Sequence, residues 1–433
     1  MTAFDEGFLS PGTVGHDELV CDEAFLRAVV RAELALIGAY GDIGMLSTAE
    51  LTTIELTGAD RASSEFSVAS LAEAAVGTGN PMIPVIADLR SHLPDGSRIW
   101  VHRGATSQDI WDTAIMTVSR DAVAQVRDSL VRTAAGLRRL AAAHGDDVVA
   151  ARTLTQHAVP TTVGARIDGW LRGIERAVAH LSSVQFPAQL AGAGGTLASF
   201  VEIAGSPEHA LALVEAFARR VDLAVPAGSW QVSRWPVTEL GDALVQAVDA
   251  LGKVATDVAT LSRTEIGEMA EGTGGGSSAM PQKRNPVEAT LIRSASIRAP
   301  QLGATLHLAA ALAGDERPDG AWHAEWPTLR ELLRLALGAS AHAASLAENL
   351  RIDPAAGARN LALTRGLIVS ERLAIVLTPL IGRARFDTLI EAAAAGADLG
   401  ELLRGIPETA DLDAVSLLDP VRYLGVARTP EKS

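Results

Sequence analysis

A helical pattern from residue 106 to residue 145 constrains the fold of this chain more than any other feature, because it contains no proline. Gly136 is its one interior glycine. Ser107 or Asp109 can cap its N-terminus, and Gly145 can end it. A helix of this length, about 60 Å at 1.5 Å per residue, cannot bury its apolar stripe within a small bundle of one chain. We therefore expect bundles that pack together in an oligomer.

Two further segments carry helical patterns. Apolar residues recur at steps of three and four from Leu244 to Leu261, which places them on one face of a helix. Another helix is expected at "NPVEAT", with Asn285 as N-cap, Pro286 at the first helical position and a kink at Pro300. Hydrophobic residues make up 48% of the chain and aromatic residues 4%, which favours close packing of helices. The sequence thus predicts an all-α fold.

Turn signals divide the chain into three regions. Short helices are expected in an N-terminal domain at 1–105, and long helices in a central bundle domain at 106–350. Shorter helices return in a C-terminal domain at 351–433. The central domain contains a glycine-rich loop at 271–286 that is too polar to belong to the core.

The net charge, the cysteine content and the length of the apolar runs exclude several classes of function. A net charge of −15 argues against a nucleic-acid-binding surface, so an anionic ligand would need a local cationic pocket. Cys21 is the only cysteine, which excludes a disulfide framework and a cysteine metal site. No apolar run reaches membrane-spanning length, and "MTAFDEGFLSPG" lacks the apolar core of a signal peptide. We therefore expect a cytoplasmic protein that does not contact membranes.

The loop at 271–286 reads "EGTGGGSSAMPQKRNP". Its glycines allow backbone movement, so the loop can close over a substrate and exclude water. Lys283 and Asn285 precede a predicted helix, whose free N–H groups favour anions. A glycine-serine run alone would more simply be a flexible surface loop, but the residues after it are unusual for a linker.

The segment "GSSAMPQKRNP" (276–286) resembles the signature of the fumarase/aspartase superfamily, GSSxMPxKxN. Two more segments resemble the first and second substrate-binding segments of that superfamily, namely "VHRGATSQDIWDTA" (101–114) and "ARTLTQHAVPTT" (151–162). The resemblance covers nearly the whole chain. It implies an all-α homotetramer with a multi-helix core and with active sites shared between subunits.

The resemblance also implies roles for individual residues. Ser277 matches the general base, and Lys283 and Asn285 match residues that bind the substrate and stabilise the intermediate. Thr106 and Ser107 match donors to the substrate in the first segment. The superfamily removes a proton from a carbon next to a carboxylate, and preformed donors stabilise the resulting aci-carboxylate. This chemistry requires no metal ion and no cofactor.

Five more residues are candidates for which an alternative stays open. Thr153 and Gln156 either contact carboxylates of the substrate or form local hydrogen bonds in a turn. Arg317 is either a clamp for a substrate carboxylate or a capping or surface arginine. His102 is either a proton carrier or an orienting group, and His157 is either catalytic or braces the site.

Within the superfamily, the chain is most similar to bacterial 3-carboxy-cis,cis-muconate cycloisomerases, on "DERPDGAWHAEWP" (315–327) and "WQVSRWPVTELGDAL" (230–244). This resemblance implies cycloisomerisation of 3-carboxy-cis,cis-muconate to 4-carboxymuconolactone in the catabolism of protocatechuate-type aromatic compounds. The alternative is a lyase that eliminates an amine, nitrite or a similar group from a substituted succinate to give fumarate. A catalytically silent structural tetramer is a third hypothesis, against which the intact signature residues argue.

The chain departs from the adenylosuccinate lyases at two positions. Those enzymes carry a histidine after the threonine of the second segment, where this chain has Leu154, and another where it has Asn80. The usual acid of the lyases is therefore missing, which argues against adenylosuccinate lyase and leaves the general acid unassigned. An apolar residue at 154 is typical of the cycloisomerases, and it remains compatible with a leaving group that departs easily.

Overall fold

The computed structural model describes residues 7–54, 67–272, 275–276 and 279–427. Helices dominate these residues and strands are short, which confirms the expected all-α fold. The chain divides into two compact units. The first unit comprises Met1–Ser129, Ala177–Asp249 and Ser294–Ala341, and the second comprises Leu130–Arg176, Ala250–Arg293 and His342–Ser433. The division into three domains stays a prediction.

The α-helices whose two ends both lie among the described residues are numbered in chain order. They are α1 Asp22–Asp42, α2 Val68–Val76, α3 Met82–His92, α4 Ser107–His144, α5 Val163–Ser183, α6 Ala198–Ala204, α7 Pro207–Arg220, α8 Trp235–Leu261, α9 Val287–Ala311, α10 Gly320–Asn349, α11 Pro354–Leu361, α12 Ser370–Ile381, α13 Arg383–Ala394, α14 Leu399–Arg404 and α15 Ala414–Leu418. Short 3₁₀ helices lie at Glu18–Val20, Arg98–Trp100, Ala362–Thr364, Leu367–Val369, Pro407–Thr409 and Pro420–Arg422. Across the part of the chain that the structure describes, no helix is both long and apolar enough to cross a membrane.

The strands form small antiparallel pairs, all in the second unit. β1 (Val148–Thr153) pairs with β2 (Gln156–Thr162), and β3 (Met269–Glu271) pairs with β6 (Leu350–Ile352). β4 (Gly275–Gly276) pairs with β5 (Arg284–Asn285). The first pair carries the second substrate-binding segment, and the last pair lies within the signature loop.

The pattern at 106–145 forms α4, Ser107–His144, as predicted. In the second unit its interior glycine marks a close approach to α10. A Cβ atom at Gly136 would lie 2.8 Å from the backbone carbonyl carbon and oxygen of Ala347. A side chain does not fit there unless one of the helices moves, so Gly136 serves helix packing and does not break α4.

The start of α9 differs from the prediction. Asn285 pairs with Gly275 in a strand, and the helix begins at Val287 and not at Pro286. The predicted N-cap role of Asn285 is therefore wrong, because strand pairing holds its backbone before the helix begins. The helix continues through Pro300.

In the first unit, α1 carries a run of buried apolar residues and packs against α7. Val30, Leu36 and Ile37 are fully buried. Glu33 and Tyr40, seven residues apart on the same helix, are also fully buried. These two polar side chains reach the first substrate-binding segment, so α1 provides part of the support for the candidate site.

Candidate active site

The candidate residues fall into both units. The first unit holds His102, Thr106, Ser107 and Arg317, and the second holds Thr153, Gln156, His157, Lys283 and Asn285. Ser277, the proposed general base, lies outside the described residues.

His102 lies in a strained turn of the first segment. Its φ angle is 58°, in the left-handed region that few residues other than glycine adopt. Its backbone N–H donates to Glu33 Oε2 at 2.9 Å, and its Nδ1 lies 2.6 Å from Glu33 Oε1. The Glu33 side chain is 0% exposed and the His102 side chain 15%. One buried carboxylate thus contacts both the backbone and the ring of His102.

The carbonyl groups on either side of His102 are also held. Arg90 Nη2 donates to the Val101 carbonyl at 3.0 Å. The Tyr40 hydroxyl donates to the Arg103 carbonyl at 2.9 Å, and burial raises the pKa of Tyr40, so that hydroxyl keeps its proton. Since hydrogen bonds hold three successive residues, the surrounding structure fixes the strained conformation of the turn.

Thr106 and Ser107 lie at the start of α4 beside a loop from another part of the first unit. Asp109 accepts the Thr106 N–H at 3.0 Å, in the geometry of a capping box. The same carboxylate accepts the N–H groups of Ala191 at 2.9 Å and Gly192 at 3.0 Å. Burial raises the pKa of Asp109, and these three N–H groups oppose that effect. Asp109 therefore holds the loop at 191–192 next to Thr106.

Arg317 contacts the same loop. Its Nη2 donates to the Ala193 carbonyl at 2.7 Å, and its side chain is partly exposed. A guanidinium has five N–H donors, and this contact uses one of them. Within the first unit, the loop at 191–193 thus brings Arg317 and the start of α4 to one place.

A buried ion cluster lies one turn behind Thr106 and Ser107. Arg234 donates to Asp112 Oδ2 and Glu325 Oε2, each at 2.6 Å, and Trp322 Nε1 donates to Asp112 at 2.9 Å. Burial lowers the pKa of Arg234, but the two carboxylates outweigh it and raise that pKa overall. Removing one member would leave a buried charge without compensation. The cluster therefore ties α4, α10 and the segment before α8 together within the first unit.

The second segment forms the tip of the β1–β2 hairpin. Leu154 and Thr155 form its two-residue turn, with φ angles of 47° and 71°. Such turns normally use Asn-Gly, because both positions need a positive φ. The Leu154 side chain is 96% exposed, and Thr153 and Gln156 beside it are exposed as well. Strain and exposure of an apolar side chain at one tip point to a functional role.

Glu268 anchors this hairpin to the second unit. It accepts hydrogen bonds from Arg152 at 2.6 Å, from Asn360 at 2.9 Å and from Arg166 at 3.4 Å. Burial raises the pKa of Glu268, but Arg152 and Asn360 more than offset it, so the carboxyl stays ionised. His157 pairs with Arg152 across the strands, and its pKa is lowered by burial and then by Arg152, with Glu268 opposing.

Lys283 lies on an exposed stretch of the signature loop at 279–284. The prediction of free N–H groups at the following helix N-terminus is wrong for two of them. Glu271 accepts the Glu288 N–H at 3.1 Å and the Ala289 N–H at 2.8 Å. An anionic substrate would therefore compete with a protein carboxylate for that helix end.

Two other histidines, His307 and His323, make polar contacts away from the candidate residues. His307 Nε2 lies 3.0 Å from Asp242, and His323 Nε2 lies 2.9 Å from the Gly79 carbonyl. Among the described residues, no group of three or more His, Cys, Asp or Glu side chains is placed to hold a metal ion.

Sequence reasoning missed several supporting residues. Glu33 is a charged residue inside an apolar helical run, and Glu268 precedes a strand. A carboxylate within an apolar run is a usable signal, because a buried charge requires a partner. Their partners His102 and Arg152 are far away in sequence and carry no local signal. The glycines of "AGAGG" at 191–195 mark a loop but do not reveal what it contacts.

Comparisons with known proteins identify the family of the chain. A family model described as lyase matches residues 55–300. Nitrosuccinate lyase from Streptomyces davaonensis is 44% identical over 98% of this chain and 93% of its own length. The 3-carboxy-cis,cis-muconate cycloisomerase of Pseudomonas aeruginosa is 36% identical over 94% of this chain and 90% of its own. The crystal structure of 3-carboxy-cis,cis-muconate lactonizing enzyme from Pseudomonas putida superposes with a TM-score of 0.86 at 33% identity, covering 97% of this chain and 94% of that one.

The two relatives and the solved structure match 94–98% of the chain, and the family model includes the segments at 101–114, 151–162 and 271–286. Family members act on small carboxylate substrates. The chain belongs to the lyase family of the fumarase/aspartase superfamily.

Proposed function

We propose that this protein is a lyase that eliminates nitrite from nitrosuccinate and releases fumarate. The observation that carries the proposal against lyases with an amine leaving group is Leu154, an apolar residue that is 96% exposed at the strained tip of the second segment. The similarity to nitrosuccinate lyase over 98% of the chain supports the same substrate.

Leu154 matters because it has no proton to give. An amine leaving group needs protonation as its bond to carbon breaks, and a histidine at this position could supply that proton. Nitrite is the conjugate base of an acid that is ionised at neutral pH, so it departs without protonation. The side chain at 154 thus favours a leaving group that needs no acid.

In this mechanism the substrate loses a proton from the carbon next to one carboxylate. Ser277 takes that proton, and the electron pair enters the carboxylate to form an aci-carboxylate. Lys283 and Asn285 stabilise the added charge. The pair then forms the carbon–carbon double bond while the carbon–nitrogen bond breaks, and nitrite leaves with the electrons of that bond. The products are fumarate, nitrite and one proton.

The two carboxylates of the substrate need donors that are held in place before binding. Thr106 and Ser107 at the start of α4 fit this role, because Asp109 and the loop at 191–192 hold that end of the helix. Arg317 fits as a clamp for one carboxylate. In the second segment, the exposed Thr153 and Gln156 are further donors, and His157 braces the hairpin or takes part in proton transfer. A homotetramer with shared sites is part of this proposal.

A second candidate is cycloisomerisation of 3-carboxy-cis,cis-muconate to 4-carboxymuconolactone. The close superposition on the Pseudomonas putida lactonizing enzyme favours it. In this reaction a carboxylate of the substrate adds to its own double bond and the adjacent carbon gains a proton. The same serine, lysine and asparagine would serve. This reaction, too, requires no acid at position 154, where the chain has Leu154.

One experiment separates the candidates. Purified protein is incubated with nitrosuccinate, and fumarate and nitrite are quantified together. In parallel, the loss of diene absorbance is followed with 3-carboxy-cis,cis-muconate. Equal amounts of fumarate and nitrite, absent in a Ser277→Ala control, support the proposal. Diene loss without nitrite release would replace it by the second candidate, and folded protein inactive on both substrates would overturn both.

A further inference from the structure

We propose that Glu33 is a positioning residue that fixes the ring proton of His102 on Nδ1 and so reserves Nε2 for the substrate. This deepens the proposed function and rests on it for its catalytic meaning. The orientation of the ring and the place of its proton stand on contacts that can be tested without any substrate.

The two oxygens of Glu33 face two different groups of one residue. Oε2 accepts the backbone N–H of His102 at 2.9 Å, and Oε1 lies 2.6 Å from Nδ1. A backbone N–H can only donate, so it occupies Oε2 permanently. A carboxylate oxygen can only accept, so Nδ1 carries the proton that faces Oε1. In the neutral ring, Nε2 is then the nitrogen with the lone pair.

Burial of Glu33 strengthens the preference for a proton on Nδ1 of His102. The Glu33 side chain is 0% exposed, so bulk solvent does not reach Oε1. The backbone of the turn is held as well, because His102 has a φ of 58° and the neighbouring carbonyls accept from Arg90 and Tyr40. With the backbone in place, the contact between Nδ1 and Glu33 Oε1 sets the orientation and the tautomer of the ring.

This arrangement assigns proton gain and loss to one atom. The proton on Nδ1 stays there, hydrogen-bonded to Glu33 Oε1, whether the ring is neutral or protonated, so proton exchange takes place at Nε2. A neutral Nε2 accepts a proton or a hydrogen bond from the substrate, and a protonated Nε2 donates to one of its carboxylates. Thr106 and Ser107, the proposed carboxylate donors, follow a few residues later in the same segment.

The first test is the tautomer of His102 in the wild-type protein. Solid-state ¹⁵N NMR of protein labelled at histidine separates protonated from unprotonated ring nitrogens, and a His102→Gln spectrum identifies the His102 signals. At a pH where the ring is neutral, we expect the proton on Nδ1. A proton on Nε2 in the wild type would overturn the proposal.

The second test is Glu33→Gln, which keeps the size of the side chain but offers only one acceptor oxygen. The backbone N–H of His102 must take that oxygen, so the amide NH₂ faces Nδ1 and the ring proton moves to Nε2. Tyr40→Phe is the matched control, because it removes a hydrogen bond from the same turn without touching the ring. We expect the tautomer to reverse in Glu33→Gln alone. An unchanged tautomer there, or an equal change in both variants, would overturn the proposal.

The catalytic part is tested by kinetics with nitrosuccinate. Glu33→Gln should lower kcat by roughly 100-fold if His102 acts as an acid or base, and it should cause no further loss in a His102→Gln background. Independent, additive losses would show that Glu33 does not act through His102. A wild type without lyase activity but with the proton on Nδ1 would overturn the proposed function and leave the assignment of the tautomer intact.

Discussion

Lys283 is one of three lysines in the chain and the only one in the signature loop. We expect Lys283→Met to lower kcat by roughly 100- to 1,000-fold, because a preformed cation stabilises the aci-carboxylate more than the substrate. Arg284→Met is the control, since Arg284 is the next residue and is equally exposed. Steady-state kinetics of both variants check this. Equal losses would mean that the loop needs positive charge in general and not this ammonium group.

His157 should make stability depend on pH. Burial and Arg152 lower its pKa below the ordinary value of about 6.5, so the unfolded chain binds its proton more readily than the folded protein. Its contribution is complete above about pH 6.5 and is lost as the pH falls through the folded pKa. Urea unfolding between pH 7.5 and 5 should therefore show a flatter pH dependence in His157→Gln. An unchanged pH dependence in this variant would contradict the lowered pKa.

At the scale of elements, Glu271 joins the strand before the signature loop to the helix after it. Glu271→Ala should destabilise the protein by about 2 kcal/mol, because two helix N–H groups lose their acceptor. Glu271→Gln keeps one acceptor oxygen and should lose about half as much. Glu265→Ala, an exposed glutamate in the preceding turn, is the control. Thermal unfolding measures all three, and a loss in Glu265→Ala equal to that in Glu271→Ala would argue against capping.

The long helices were predictable from sequence because their signals are local. The absence of proline between residues 106 and 145, together with a capping residue at the start, predicted α4 closely. The start of α9 was predicted wrongly because its first N–H groups donate to Glu271, which lies upstream in β3. The sequence predicted Asn285 as a local N-cap, but Asn285 instead pairs with Gly275 in a strand.

The site was predictable only as far as its motifs reach. The three segments were found by resemblance, and their residue roles remain proposals. The contact between Glu33 and His102 spans 69 positions, and that between Arg152 and Glu268 spans 116. Such pairs are set by the packing of helices, which local periodicity does not encode. Residues that carry substrate chemistry are therefore easier to predict here than residues that hold them in place.

At the scale of the whole molecule, the proposed sharing of sites predicts complementation between inactive variants. Arg317→Ala removes a proposed site residue of the first unit, and Lys283→Met removes one of the second unit. If these contributions come from different subunits of a tetramer, about a quarter of the sites in randomly mixed tetramers carry both intact residues. Co-expression followed by activity assay should then recover about that fraction of the wild-type rate.

The control pairs Lys283→Met with Asn285→Ala, which lie on the same loop and cannot complement each other. A recovery in this control would point to reversion or contamination. An absence of recovery with Arg317→Ala, in tetramers verified to be mixed by mass spectrometry, would show that both residues serve a site from one chain.

The β1–β2 turn suggests how such an enzyme changes its substrate over evolutionary time. Its backbone is held by strand pairing and by the anchoring of Arg152 to Glu268, neither of which involves the side chain at position 154. A substitution at position 154 would change the side chain at the tip of the hairpin and leave its strand pairing and its anchoring in place. In the proposed mechanism, the preference for a leaving group can therefore change by substitution at position 154. Related enzymes can then differ in leaving group while they keep the same fold and the same serine base.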